Sequence, residues 1–490
     1  MTILDRSDPQ LILSSWLICS ADEPPQPDHA VLVAGGRIVT TGPNDALRAE
    51  HPEAAICDLR GRAVSPGFVD AHRHCYGVLA HGIPTDSAPA DFRAFLNDFW
   101  WGRIEDRLDH DMLRAAMDLA CYDMINSGVT TFFDCLEAPN AIPGGLFVQA
   151  EVVQRWGLRA MLCFEATERV GRENADLGLR ENVEFIAYCK RQESELTSRA
   201  AGIPDAQYAI AGTQYPAQAT QHGSENRPDA SPALLLGAMC HHTTFTCSDA
   251  FIRRAHALAR EHGALLHFHC AEGLYEPEQC LKRYGHRTIE HYESLGVLDE
   301  TTLASQCVQL SPREVEIVGQ RGIRVTTMPR SHCEVGGGIA PAPEMRAAGA
   351  TVGLGTDGYV PNFFATLRGA FLIHKARLLD PGVMPGSAVW RMATQEGAQA
   401  LRLGQEAVVP TGALLPGYSA DLIAIDLDLP TPVTAHNLFD QLILWRDAAH
   451  VDSVMCAGRW LKRDHVVLNA DLPRLLARTR EAAAKLWRGA

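Results

Sequence analysis

Two histidines one residue apart close an apolar run in "PGFVDAHRHCYG", residues 66–77. In an extended strand the side chains at i and i+2 share a face. His72 and His74 therefore aim their imidazoles at one spot just past Phe68 and Val69. Further strand-like runs end in residues of the same chemical use. His241 and His242 follow "LLLGAMC", while "HFHCAEG" carries His267, His269 and Glu272. Gln306 follows "TLAS", Arg330 and His332 lie in "IRVTTMPRSH", and Asp357 follows "TVGLGT". Three imidazoles and a carboxylate converging on one axis suit a divalent ion of borderline hardness. Such an ion lowers the pKa of bound water to about 7, which makes hydroxide available at neutral pH. In "HFHCAE", Glu272 lies three residues beyond His269 and overhangs the pocket as a proton shuttle, while Asp357 accepts the proton of the water. That set hydrolyses a C–N or C–X bond at an electron-poor carbon.

Elements that bring these residues together can be read from the pattern around them. Eight apolar runs alternate with helical ones: "RAVSPGFVDAHRH", "VTTFFD", "LRAMLCFEA", "LLLGAMCHHTTF", "ALLHFHCAEG", "TLASQCVQL", "IRVTTMPRS" and "TVGLGTDG". "DHDMLRAAMDLACYDMINSG", "DAFIRRAHALAREHG" and "SPREVEIVGQRG" read as helices, the first closed by Gly128. This βα rhythm predicts an α/β fold, a (β/α)8 TIM barrel, with functional groups at the C-terminal ends of the strands. A doubly wound open sheet is disfavoured, because no Gly-rich phosphate loop follows the first strand. The two chain ends differ from the middle. "AVLVAGGRIVTTGP" reads as a hairpin around Gly35 and Gly36, and "GALLPGYSADLIAIDLD" and "VDSVMCAGRWLKRD" repeat the texture near the C-terminus. They predict a small β-sandwich domain built from both termini, 1–64 with 406–490, flanking a barrel at 65–405. A helix is expected from Leu472 to Trp487, and the Ala/Pro/Gln-rich stretch 201–232 reads as a long loop.

Composition narrows the partners. In 490 residues, 44 Lys and Arg stand against 59 Asp and Glu, a net charge of −15. Nucleic acid and anionic membrane surfaces are disfavoured by that balance. No run approaches the ~18 to 20 apolar residues of a membrane span, and the N-terminus is no convincing signal peptide. The 14 cysteines form no C-x-x-C pair and read as buried thiols in a reducing cytoplasm.

"PGFVDAHRH", "HFHCAEG", "GGGIAPAPEMRAAGATVGLGTDG" and "GALLPGYSADLIAID" closely resemble motifs of the amidohydrolase superfamily, in its branch of aminohydrolases and chlorohydrolases. The likeness runs over nearly the whole chain. It implies one divalent ion, zinc foremost with iron, manganese or cobalt as alternatives, held by His72, His74, His269 and Asp357, with Glu272 as acid/base. "LLLGAMCHHTTF" lacks the fourth-strand lysine that bridges two metals in some members, so a single ion is expected. The resemblance also implies a small-molecule substrate and a homo-oligomer, a dimer or larger.

Two departures from that pattern stand out. Gln306 occupies the sixth-strand position where the family usually shows histidine, and glutamine cannot become cationic. His332 stands where asparagine is common. Either the substrate chemistry differs, or His242, Arg330 or His332 takes over, or activity is reduced. Substrate contacts are expected from His242, Arg330, His332, Trp100 and Tyr76, with His81 at the rim. "FWWGR", Phe99 to Arg103, reads either as an aromatic lid over a flat ring or as helix-packing surface. Arg73 should point away from the metal. The leading function is deamination of a small heterocyclic nitrogen compound. Hydrolysis of a carbamate, thiocarbamate, amide or C–Cl bond is the alternative, and metabolite binding without turnover the third reading.

Overall fold

The structure is a computed structural model that describes residues 8–84, 89–200, 235–358, 361–404 and 409–488. The stretch 201–232, read as a loop, lies outside the described residues. Parallel strands whose side chains are nearly all buried form the centre of the molecule. Phe68–Arg73, Val129–Leu136, Arg159–Phe164 and Leu235–Gly237 make one sheet, and Met239–Cys240, Leu266–Cys270, Thr302–Gln306, Arg324–Thr327 and Thr351–Leu354 make a second. Leu235–Gly237 and Met239–Cys240 are one strand interrupted at Ala238, whose N–H donates to Leu162 O while that of Met239 donates to Leu265 O. At the other seam Arg73 bridges Asp357 in parallel, and the N–H groups of Thr356 and Asp357 both donate to His72 O at 3.1 Å. The two sheets thus close into an eight-stranded barrel, in the order of the eight apolar runs. Strands buried on both faces read as continuous hydrophobic runs, which is why these are legible in the sequence.

Helices between the strands begin where the sequence signals them. Asp109 caps His110–Asn126 by accepting from Met112 N, and Ser248 caps Asp249–Glu261 by accepting from Phe251 N. Ser311 and Glu314 form a capping box on Pro312–Gln320. The terminal helix Leu472–Arg488 packs on His110–Asn126, with Lys485 2.5 Å from Asp109 and Trp487 Nε1 donating to Leu79 O at 2.8 Å. It therefore braces the turn that follows the first barrel strand.

Both chain ends build one nine-stranded sheet, in which Leu422–Asp426 runs antiparallel to Ala55–Pro66. A buried ion pair, Arg159 to Asp421 at 2.9 Å, ties this sheet to the third barrel strand. Among the described residues no helix is long and apolar enough to cross a membrane.

Candidate metal and reaction centre

At the C-terminal rim of the barrel three imidazoles face one another. His74 Nε2 lies 3.2 Å from His269 Nε2, and the rings of His72 and His269 are 5.0 Å apart between centroids. The opposite nitrogens turn away from that point. His74 Nδ1 donates to Cys135 O at 2.7 Å, and His269 Nδ1 lies 3.4 Å from Glu165 Oε2. The two Nε2 atoms therefore face each other. His72, fully buried, has no hydrogen-bond partner for either ring nitrogen. Burial, reinforced by the neighbouring imidazoles, pushes His72 and His269 well below the usual histidine range, so neither relieves this crowding by taking up a proton. Three buried imidazoles gathered this closely suit a cation, and outer-sphere acceptors on Nδ1 are the usual means of aiming such ligands. Asp357 adds a carboxylate, its Oδ1 3.4 Å from His74 Nε2 and 3.9 Å from His72 Nε2. These four residues fit a single divalent ion.

Backbone strain gathers at the same rim. Asp357 has φ +57°, Gln306 +71° and Ala271 +49°, left-handed values that non-glycine residues rarely adopt. A Cβ on Gly355 would meet His72 O at 2.5 Å, so only glycine lets the eighth strand approach the first closely enough to present Asp357.

Gln306 is oriented by its neighbours. Its amide oxygen is 2.5 Å from His332 Nε2, and its amide nitrogen donates to Asp357 Oδ2 at 3.4 Å. The reverse orientation would set two oxygens against each other. Burial lowers the pKa of His332 to about 4, so it is neutral and donates through Nε2. Ser331 Oγ adds a hydrogen bond to Asp357 Oδ2 at 2.8 Å. His332, expected to contact substrate, instead sits behind Gln306 and fixes the direction of its N–H groups. His332→Ala removes one hydrogen bond of about 1 kcal/mol and should lower kcat about fivefold at unchanged metal content, measured by rate and elemental analysis together.

Beside the histidines opens a cavity. Its lining includes Tyr76, Trp100, Trp101, His242, Glu272 and Asp357, which the sequence singled out, and also Glu105, Glu137 and Glu165, which it did not. "FWWGR" is both a lining and a packed element. Trp100 stacks on Phe95 at 5.5 Å, and Trp101 lies between the guanidiniums of Arg93 and Arg169 at 5.1 and 4.7 Å. Arg169 also pairs with Glu137 at 2.7 Å and Asp106 at 2.9 Å. Burial would raise Glu137, but Arg169 and His242 outweigh it and hold this carboxylate ionised. Glu105, which accepts from Tyr76 Oη at 2.7 Å, is pushed well up by burial and then by Glu137. Glu165 is likewise raised by burial, and burial lowers His242 to about 4. Glu165 Oε1 and His242 Nε2 lie 3.1 Å apart.

Glu272 lines the same cavity, partly exposed, and a Cβ on Gly337 would press its backbone carbonyl at 2.8 Å. Burial first, then Asp357 and Glu276, raise its carboxyl well above the usual range. Arg73 points away from the histidines, toward Asp70 and Thr356. His81 lies 3.3 Å from Gly358 O at the rim. Arg330 corrects the sequence reading. It begins a short helix after the seventh strand, is exposed, and pairs with Glu334 at 2.8 Å on the outer surface rather than lining the cavity.

Comparison with known proteins follows the same lines. The amidohydrolase family model matches residues 63–461, and an imidazolonepropionase-like composite domain of bacteria matches 30–54. The 5-methylthioadenosine/S-adenosylhomocysteine deaminase of Syntrophobacter fumaroxidans is 29% identical over 470 residues, 93% of this chain and 92% of its own. The 5'-deoxyadenosine deaminase of Methanothermobacter thermautotrophicus is 28% identical over 443 residues, 89% of each. A zinc-bound adenosine deaminase from Xanthomonas campestris superposes with a TM-score of 0.77 at 22% identity, over 97% of this chain and 98% of that one. The zinc complex of atrazine chlorohydrolase from Arthrobacter aurescens gives 0.73 at 20% identity, over 96% and 99%. At these identities the solved structures speak for the fold. The family match, spanning the barrel and the C-terminal strands Leu422–Asp426 and Val451–Cys456 of the terminal sheet, makes the chain a member of the amidohydrolase family.

Proposed function

We propose that this protein is a metal-dependent hydrolase of the deaminase type that removes an amino group from a flat nitrogen heterocycle, an adenine nucleoside being the favoured substrate. The observation that carries this reading is the pair of Nε2 atoms facing each other at 3.2 Å, with Asp357 beside them and Glu272 lining the cavity. One ion, zinc foremost, held by His72, His74, His269 and Asp357, supplies an activated water. The remaining steps belong to side chains. Asp357 takes the proton of the attacking water. Glu272, whose carboxyl is raised by burial, delivers its proton to the ring nitrogen, the proton held by Asp357 passes to the departing amine, and the hydroxyl proton of the adduct returns to Glu272. Gln306 offers an N–H to the oxygen gained by the attacked carbon, in place of a cationic imidazole. Phe92, Phe95, Trp100 and Trp101 flank a planar ring, while Glu137 and Glu105 can accept hydrogen bonds from amino or hydroxyl groups of the substrate. The names of the sequence relatives, which act on adenine nucleosides, agree with such a cavity.

A second reading follows from Gln306. A neutral donor stabilises negative charge less than an imidazolium does, which favours better leaving groups such as chloride or a carbamate amine. Zinc-loaded protein should be offered adenosine, 5'-deoxyadenosine, 5-methylthioadenosine, guanine and chlorinated s-triazines. Ammonia from an adenine nucleoside is the expected result. Chloride or alkylamine release with no ammonia would replace it by the second reading.

For domain organisation we propose that 1–64 and 406–490 form a small β-sandwich beside a barrel at 65–405. Ile12, Val31 and Val64 from one end pack with Leu422 and Met455 from the other, which supports that division.

A further inference from the structure

Two residues before His269, on the same interior face of the fifth strand, His267 points into the barrel rather than out of its rim. Around it the second, third and fourth strands each contribute a cysteine. Cys135 Sγ and Cys240 Sγ are 3.6 Å apart, and His267 Nδ1 lies 3.2 Å from Cys240 Sγ and 3.8 Å from Cys135 Sγ. With Cys163 Sγ these four atoms all lie within 4.8 Å of one another, and all four residues have zero exposure.

We infer that Cys135, Cys163, Cys240 and His267 form a second metal site, a closed tetrahedral one for a zinc-type ion of the borderline-soft class, inside the barrel beneath the reaction centre. Three thiolates and an imidazole are the donor set such an ion prefers. With Zn–S of about 2.3 Å and Zn–N of about 2.0–2.1 Å, tetrahedral geometry separates the donor atoms by about 3.5–3.8 Å. The observed separations bracket that range. A Cys135–Cys240 disulfide would need about 2.05 Å between sulfurs, far less than the 3.6 Å observed.

The site differs from the one above it in chemistry and in task. Its donors are mostly sulfur and leave no open position for water, so its ion cross-links four consecutive strands instead of reacting. Cys135 Sγ is 3.3 Å from Glu165 Oε2, and Glu165 also orients His269. An ion here would stiffen the support of the catalytic ligands. Binding an ion requires each coordinating thiol to release its proton, so loading consumes base and couples to folding.

Sulfur separates the two sites spectroscopically. The protein should be produced in cobalt-supplemented medium, so that the ion is present as the buried site folds, with the exposed Cys333 replaced by serine throughout. The expected result is two cobalt ions per chain and an intense thiolate-to-cobalt charge-transfer band in the near ultraviolet. Cys240→Ala, or Cys163→Ala should Cys240→Ala not fold, loses the band and one equivalent. His269→Ala loses the other equivalent and keeps the band. One cobalt per chain with no charge-transfer band in the parent protein would overturn the inference. So would a thiol titration of the denatured, metal-free protein that finds two thiols fewer than the sequence provides, because the cluster would then hold a disulfide.

Discussion

His269→Ala is expected to remove one equivalent of metal and reduce turnover to background. The imidazole supplies one of three ring nitrogens that face a shared centre, and no other described side chain stands ready to replace it: His242 is occupied by Glu165 and Thr246, and His267 faces the cysteines. Losing an outer-sphere partner of a metal ligand already costs about 10- to 100-fold in affinity, so losing the ligand costs more. Asp357→Ala should behave alike and in addition free Ser331, Gln306 and the Gly358 N–H, all of which bond to its carboxylate. Elemental analysis and initial rates, read on the same preparation, check both. Arg330→Ala is the control. Its surface pair with Glu334 is worth at most about 1 kcal/mol, so metal content and rate should not change. Retention of the full metal complement by His269→Ala would refute the ligand set.

Glu272→Gln should keep the metal and lower kcat about 10²- to 10⁴-fold, the range of a positioned acid or base. The amide fills the same space but can neither deliver nor take a proton. The pH profile carries a sign. Burial, Asp357 and Glu276 all raise the carboxyl, so it stays protonated well above the ordinary glutamate range. A group that must donate a proton is active below its pKa. The rate should therefore fall as pH rises through that elevated value, and the residual rate of Glu272→Gln should lack this limb. A variant whose rate matches the parent would mean that another group moves the proton.

Residues missed from the sequence show what strand-end reasoning lacks. Glu137 and Glu165 close the second and third strands in "DCLEA" and "CFEAT", positions equivalent to those that drew attention elsewhere. The same rule would have found them. Glu105 and Arg169 carry no such signal. One lies in a single helical turn and the other in a loop, and only the closed barrel brings them to one carboxylate cluster. Arg330 went wrong for the converse reason: a short helix, Pro329–Glu334, follows its strand, and the second position of that helix turns outward. His332, five residues beyond the strand, turns back inward but meets Gln306 rather than open space.

What the amino-acid order determined by itself was local and periodic. Continuous apolar runs specify strands buried on both faces, caps such as Ser311 with Glu314 specify helix starts, and the alternation of the two requires a parallel sheet. The i, i+2 rule alone put His72 beside His74 and His267 below His269. Closure decided everything that depends on distances between strands. Whether Nε2 of His74 meets that of His269, which way the Gln306 amide faces, and that three distant cysteines converge on one imidazole follow from packing eight strands around one axis. Those contacts join residues tens to hundreds of positions apart, and no periodicity along the chain encodes them.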